Sequence, residues 1–345
     1  MFSRSNASTE IQFRIVFIYG LLTIELMKAG LIGAGLIGSA LYKKLQSRGW
    51  NIRFVLRKSG LYENLDKKLE GNYLDYAQEL DAAFLAIPTA DDGSIASGYI
   101  KSFLEKGIPV ITCEKGALSN HFASLESCLE KIGFSASVGG GTRLLSYLRE
   151  RDSAQIQEIH AIVNGTLNYI FDEVSHGKNM PDAVKSAQEW GYAEPGAEHP
   201  LDVINQEASG DVPMKTAILF NVGGFGDCHI TASALHAGKL DDAEMKELLK
   251  NAQDRRYIVS FTREDRNEDV IGGFRHYAGK WVISAGFKNI NENSLYKAML
   301  PGGVNNSILI SEGKNETYIL SGPGAGAGPT TSSMVIDAFR LVNKK

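Results

Sequence analysis

The chain has 345 residues, 43% hydrophobic and 22% charged, which is enough apolar material to bury sizeable cores and a length that favours two domains. Its 36 Lys and Arg against 40 Asp and Glu leave a formal charge of −4, excluding the basic footprint of a nucleic-acid binder and the polybasic block of a membrane-surface protein. Three scattered cysteines (Cys113, Cys128, Cys228) make neither a disulfide framework nor a CxxC metal site, so composition points to small-molecule chemistry in a reducing cytoplasm.

Residues 1–26 contain an apolar run, Arg14 to Leu22, that is short for a membrane span and lacks the small-residue cleavage site of a signal peptide. Met27 opens a better domain start. The first 26 residues are therefore expected to be a poorly ordered extension from an upstream start codon, outside the fold.

From Met27, Lys28 to Ile32 reads as a buried strand, followed by Gly33-Ala34-Gly35-Leu36-Ile37-Gly38 and a helical pattern from Ser39. This is G-x-G-x-x-G in strand–turn–helix context: glycines permit the tight turn, and the helix N-terminus faces a pyrophosphate. A second strand, Asn51 to Leu56, ends at Arg57-Lys58, where NAD-specific folds place an acid on the ribose. A cationic pair there suits a 2′-phosphate, favouring NADP while leaving NAD open. Ala82–Ile87 and Pro109–Thr112 read as further parallel strands with a helix near Gly98–Lys106 between them. Pro88, Thr89 and Lys115 then fall at strand carboxyl ends, the usual ligand-binding edge, although a lysine in such a place is as often simply solvated.

Phe134 to Thr142 is expected to be a strand breaking into Gly139-Gly140-Gly141 as the chain crosses to a second domain. There Ile156–Val163 alternates as a strand, and Asn164-Gly165-Thr166 opens a helix whose amides and short polar groups suit a carboxylate or a plain N-cap. Glu244–Asn251 reads as helix, and Val270–Phe274, Trp281–Ala285, Asn305–Ile310 and Glu316–Leu320 read as strands. A glycine-rich tail from Ser321 to Thr331 feeds a last helix ending near Arg340. No metal-ligand spacing occurs among the seven histidines, and there is no G-x-S-x-G elbow.

The chemistry concentrates in Gly191-Tyr192-Ala193-Glu194 and Gly210-Asp211-Val212-Pro213-Met214-Lys215. A helix starting near Ser209 or Asp211 tolerates Pro213 in its first turn and puts Asp211 and Lys215 on one face. The commoner reading of such a pair is a solvated i,i+4 contact worth about 0.3–0.5 kcal/mol. The sharper reading adds Glu194 from the preceding loop, giving two acids beside one lysine.

Taken in order, Asn164 to Ile170, Gly191 to Glu194, Gly210-Asp211 with Lys215, Cys113-Glu114-Lys115 and the Gly322–Ser333 signature resemble the homoserine dehydrogenase family over Met27 to the end. The resemblance implies reversible reduction of L-aspartate 4-semialdehyde to L-homoserine with NAD(P)H, a step of aspartate-derived amino-acid synthesis, in a homodimer. It implies Lys215 as proton donor and Lys115 between cofactor and substrate. Glu194 and Asp211 then bind the substrate amino group or hydroxyl, with Tyr192, Asn164, Gly165 and Thr166 completing the pocket. Gly33, Gly35, Leu36, Ile37, Gly38, Arg57, Lys58, Pro88, Thr89, Gly191 and Gly324 line the cofactor.

Three departures from the family stand out. Its structural sodium site uses a Glu side chain where this chain has Ser135; the carbonyls of Val138, Gly140 and Thr142 remain as candidate ligands, and no metal is assigned. Between Glu194 and Asp211 lies a longer insert than the family usually carries, including Ala197 to Gln206. Glu114 replaces an Asn and is expected to place a charge beside Lys115.

The expected fold is α/β: a Rossmann-like, doubly wound parallel sheet over residues 27–138, with the helix of 330–345 packing back on it. Residues 139–329 are expected to form an α+β substrate and dimerisation domain with an open mixed sheet. Ending after the tail motif, the chain is expected to carry no kinase or regulatory extension. Two other functions stay open, a related dehydrogenase of another amino-acid aldehyde or keto compound and a non-catalytic NADP-binding regulator.

Overall fold

A computed structural model of the chain describes residues 14–18, 21–193, 199–266, 268–313 and 316–343. Arg14–Ile18 (β1) and Leu21–Glu25 (β2) pair antiparallel as a separate ribbon, where the sequence offered no element.

The first large sheet contains Lys28–Ile32 (β3), Asn51–Arg57 (β4), Gly60–Tyr62 (β5), Ala82–Leu85 (β6), Val110–Thr112 (β7) and Ile132–Gly133 (β8), in the spatial order β5-β4-β3-β6-β7-β8. All its pairings are parallel except the edge pair β4–β5. Alternate side chains enter two cores. Ile32, Phe54, Ala83 and Leu85 face Ile100 and Phe103 of the helix Ser94–Leu104, whereas Leu31, Val55, Phe84 and Ile111 face the other side. There the helix Leu36–Ser47 contributes Leu41 and Leu45, and the C-terminal helix Ala327–Val342 contributes Met334, Val335 and Ala338. Burial on both faces explains why these strands read as continuous apolar runs. The chain reverses its direction of addition between β3 and β6, so their carboxyl ends open a crevice at the switch point.

The second sheet comprises Ile156–Ile162 (β9), Arg255–Thr262 (β10), Val270–Ala278 (β11), Trp281–Asn289 (β12), Asn305–Glu312 (β13) and Glu316–Pro323 (β14), ordered β11-β12-β10-β9-β13-β14. It was expected to be mixed, but every pairing in it is antiparallel. β10, a central strand with all eight residues buried, is an element the sequence reading did not place. Phe134–Thr142 is likewise not a strand: pairing stops at Gly133, and Ser135–Ser137 forms a 3₁₀ turn.

The chain is helical from Pro200 onward. Pro200–Gln206 runs through a wide π turn, Glu207–Asp211, directly into the helix Val212–Gly223. Such a π turn inside a helix often marks a functional site. This one carries two carboxylates.

Candidate active site

A cavity of about 900 Å³ lies at the carboxyl edge of the first sheet, between the glycine loop and the helix through Lys215. Gly35, Leu36 and Ile37 line one wall and Pro88, Thr89 and Lys115 the next; Gly324 and Thr330 belong to the tail wall. Asn164, Gly165, Thr166, Tyr192, Asp211 and Lys215 close the far end. Gly33, Gly38, Arg57, Lys58 and Gly191 stand outside this lining. Glu194 lies outside the described residues.

The glycine loop has the shape its motif demands. Gly33 has φ +91 and a Cβ there would sit 2.2 Å from the carbonyl oxygen of Ala86, so neither the dihedral nor the space admits a side chain. A Cβ on Gly38 would meet the Gly33 carbonyl oxygen at 2.1 Å, which fixes how closely helix and turn pack. At Gly35 a Cβ would meet nothing within 4 Å: the space above it is open cavity. Gly35 caps the twelve-residue helix with no side-chain bond to its first amides, and Leu36 behind it is 81% exposed. Amides aimed into open space at the positive end of a helix dipole fit a dinucleotide pyrophosphate.

At the opposite end four charged side chains converge. Lys115 Nζ donates to Asp211 Oδ1 at 3.0 Å and Lys215 Nζ to Asp211 Oδ2 at 2.6 Å. Lys215 also donates to the Val163 carbonyl at 2.7 Å. Asn164, the N-cap of the helix Gly165–Ser175, accepts from the Leu167 amide through Oδ1 and donates through Nδ2 to Glu207 at 2.6 Å and Asp211 at 2.9 Å. The Asp211–Lys215 pair is thus an interior ion pair, with Lys215 only 9% exposed. Glu207 escaped the sequence reading because it lay in the insert. Its signal was the four-residue repeat Glu207, Asp211, Lys215 along one helix.

These contacts set the charges. Burial works against ionised Asp211, but Lys115 and then Lys215 outweigh it and hold the carboxyl well below its ordinary range. Asp211 in turn raises Lys115 above the usual lysine value against the effect of burial. Glu207 goes the other way: burial and then the Asp211 charge raise it. The site therefore pairs an acid that stays anionic with a neighbour that takes up a proton readily.

Other expected site residues act through the protein. Thr166 Oγ1 donates to the Tyr192 carbonyl at 2.6 Å and so fastens the Gly191–Ala193 turn to the helix. A Cβ on Gly324 would strike Asn306 Oδ1 at 1.9 Å, while Asn306 Nδ2 shares the Val163 carbonyl with Lys215 at 2.7 Å. Glu114 does not sit beside the Lys115 ammonium as expected. Its carboxylate turns inward to accept from Thr89 Oγ1 and the Gly116 and Ala117 amides, tying the β6 and β7 loops together. Burial pushes the adjacent Cys113 thiol up to about 11, so it is not a thiolate nucleophile.

With this geometry in hand, comparison with known proteins is informative. Residues 144–339, more than half of the chain, match the family model described as homoserine dehydrogenase. The chain belongs to that family. It is 30% identical over 270 residues to a maize protein named bifunctional aspartokinase/homoserine dehydrogenase 1, covering 72% of this chain and 28% of the relative. A homoserine dehydrogenase of Neisseria gonorrhoeae is 28% identical over 258 residues, covering 72% of this chain and 54% of that one. The chain thus spans between about a quarter and about half of the length of these two relatives. A crystal structure of homoserine dehydrogenase from Thermoplasma acidophilum matches the fold with a TM-score of 0.69 at 19% identity, over 92% of this chain and 99% of the other. A hyperthermophilic archaeal homoserine dehydrogenase in complex with NADPH matches with a TM-score of 0.65 at 20% identity, over 92% and 98%. Among the described residues no helix is long and apolar enough to cross a membrane.

Proposed function

We propose that this chain catalyses the reversible, NADP-linked interconversion of L-homoserine and L-aspartate 4-semialdehyde. The observation that carries this reading is the meeting of Lys115, Lys215, Asp211 and Glu207 in the cavity that also holds the glycine loop. Relatives bearing the homoserine dehydrogenase name, and a structural neighbour described with NADPH, support the choice of reaction and cofactor.

A nicotinamide bound in this cavity would supply the hydride for the aldehyde carbon in the reducing direction. The rest falls to the protein. Lys215, held between the Val163 carbonyl and Asp211, gives its proton to the oxygen that becomes the homoserine hydroxyl; in oxidation the same nitrogen takes it back. Asp211 keeps both lysines oriented and Lys115 protonated. Glu207, and Glu194 by resemblance, bind the substrate ammonium group. Arg57 and Lys58 at the end of β4 are assigned to the 2′-phosphate. The assembly implied by the family resemblance is a homodimer formed through the second sheet, to be measured by sedimentation.

The deciding experiment follows NADPH formation by absorbance with L-homoserine, against a panel of other hydroxy amino acids and with NAD in place of NADP. Homoserine is expected to be the preferred substrate. Turnover of a different panel member only would move the assignment to a related dehydrogenase, and NADPH binding without any turnover would make the chain a regulator.

A further inference from the structure

The segment from Ser135 to Thr142 forms part of the cofactor-side wall, with Ala136, Ser137 and Gly140 facing the cavity opposite Gly324, Ala325 and Thr330 of the tail. Behind that wall lies a closed polar network. Arg143 holds a left-handed backbone, φ 59, unfavourable for a residue with a side chain. Its Nη2 donates to Asp337 Oδ1 at 2.9 Å and to Ser146 Oγ at 3.1 Å; its Nη1 donates to the Ser333 carbonyl at 3.1 Å and the Ser333 hydroxyl at 3.3 Å. Asp337 also accepts from the Ser135 amide at 2.8 Å and the Ser135 hydroxyl at 2.9 Å, and Ser135 Oγ meets Ser146 Oγ at 2.7 Å. Ser135 and Asp337 are 7% and 5% exposed. One guanidinium thereby joins the crossing segment, the helix Leu144–Arg149 and the C-terminal helix.

This arrangement does not fit the sodium ion that the family resemblance implies near the carbonyls of Val138, Gly140 and Thr142. Position 135 offers a hydroxyl instead of a carboxylate, and that hydroxyl is already bonded to Asp337 and Ser146. The carboxylate it contacts carries a guanidinium. The loop is pinned without an ion, since the Gly141 amide and Thr142 Oγ1 both donate to the Pro323 carbonyl at 3.0 and 3.1 Å.

We infer that Arg143 is the resident cation of this loop: a positioning residue that sets the Ser135–Thr142 wall against the tail, so that cofactor binding needs no monovalent metal ion. A guanidinium suits the task because its planar fork serves Asp337, Ser146 and Ser333 at once. The inference rests on reading the cavity as a dinucleotide site, and one of its readouts does not.

That readout is thermal melting of the wild-type protein, without NADPH, in NaCl, KCl and choline chloride at equal ionic strength. The melting temperature is expected to be the same in all three, as is the NADPH dissociation constant. Arg143→Met is expected to weaken NADPH by roughly ten-fold or more while the KM for L-homoserine changes by less than about two-fold, with Arg143→Lys recovering part of the loss. If Arg143→Met does not fold, Asp337→Asn replaces it, with the same split expected. A wild type whose melting or NADPH affinity needs sodium overturns the inference. So does a variant that binds NADPH as the wild type does, or one that loses cofactor and substrate affinity equally. A wild type that binds no NADPH in any salt instead sinks the dinucleotide reading, and the melting comparison still stands.

Discussion

Lys115 and Lys215 hold opposite oxygens of the same carboxylate, at 3.0 Å and 2.6 Å from Asp211, although one follows a strand of the first sheet and the other sits in a helix beyond the second sheet's first strand. Asp211 is therefore both the electrostatic centre of the site and a clamp between two halves of the fold. Asp211→Asn leaves two ammonium groups facing a neutral amide, at a cost on the order of 3 kcal/mol for breaking a largely buried pair. Because the folded carboxyl titrates below its unfolded value of 3.8, its contribution is present above that pH and is lost only as pH falls through the folded value. Melting of Asp211→Asn against wild type should show a large deficit at neutral pH that narrows only in strong acid. Equal melting at pH 7 would mean the clamp carries no stability.

For Lys215 the expected loss is catalytic. Lys215→Ala removes the proton donor but touches nothing on the glycine loop, so kcat should fall by roughly 10²- to 10⁴-fold with NADPH affinity within a few-fold. Val163 keeps a donor through Asn306, which limits the structural damage. Turnover at the wild-type rate would remove Lys215 from the mechanism.

The parts of this site that were legible in sequence are those with local signatures. The glycine loop announces itself because its spacing, its strand and its helix are contiguous, and Asp211 with Lys215 because both lie within one helical turn. β10 was hidden by its opening Arg255-Arg256, charges that read as surface. Both are buried, because Arg255 finds Asp269 and the Phe287 carbonyl and Arg256 finds Ser175 and Asp172, partners that no local pattern reveals. The Arg143–Asp337 pair spans 194 residues and was invisible for the same reason. Glu114 misled because adjacency to Lys115 in sequence says nothing about direction. The backbone turns its carboxylate onto the amides of the next helix instead.

Glu207 offers a test with the opposite sign from Asp211. Burial and its neighbour raise its pKa above 4.5, so its favourable contribution exists below the unfolded value and is lost as pH rises through the folded one. Glu207→Gln should therefore melt at or above the wild-type temperature at pH 7 to 8, the advantage vanishing toward pH 4. Its homoserine KM should rise by about ten-fold or more, as expected for losing a charged contact. In the wild type the KM should climb as pH falls through the raised pKa, and in the variant that acid-side rise should be gone. A retained rise would assign it to another group.

Cofactor choice can be tested at Arg57. Its Nη2 donates to the Leu65 carbonyl at 2.7 Å and its guanidinium lies 4.9 Å from the Tyr62 ring centre, which steadies the turn between β4 and β5. Those contacts leave donors of the fork available for a 2′-phosphate. Arg57→Ala should weaken NADP by roughly ten-fold or more while NAD changes little, because only the former carries the phosphate. Equal losses for the two would limit Arg57 to holding the turn.

The second and third glycines of the loop separate fold from binding. A methyl group on Gly38 would collide at 2.1 Å with the Gly33 carbonyl oxygen, a backbone atom that cannot swing aside, whereas one on Gly35 would meet only cavity. Gly38→Ala should therefore lower the melting temperature by several degrees, in line with an overpacking cost of about 1–3 kcal/mol. Gly35→Ala should melt like the wild type and yet lose NADPH affinity, since its methyl group occupies the space where a pyrophosphate must approach the backbone. Melting curves and NADPH fluorescence titrations on the two variants give a two-by-two comparison. If Gly35→Ala binds NADPH with unchanged affinity, the pyrophosphate does not lie over that residue, and the cofactor must be placed elsewhere along the crevice.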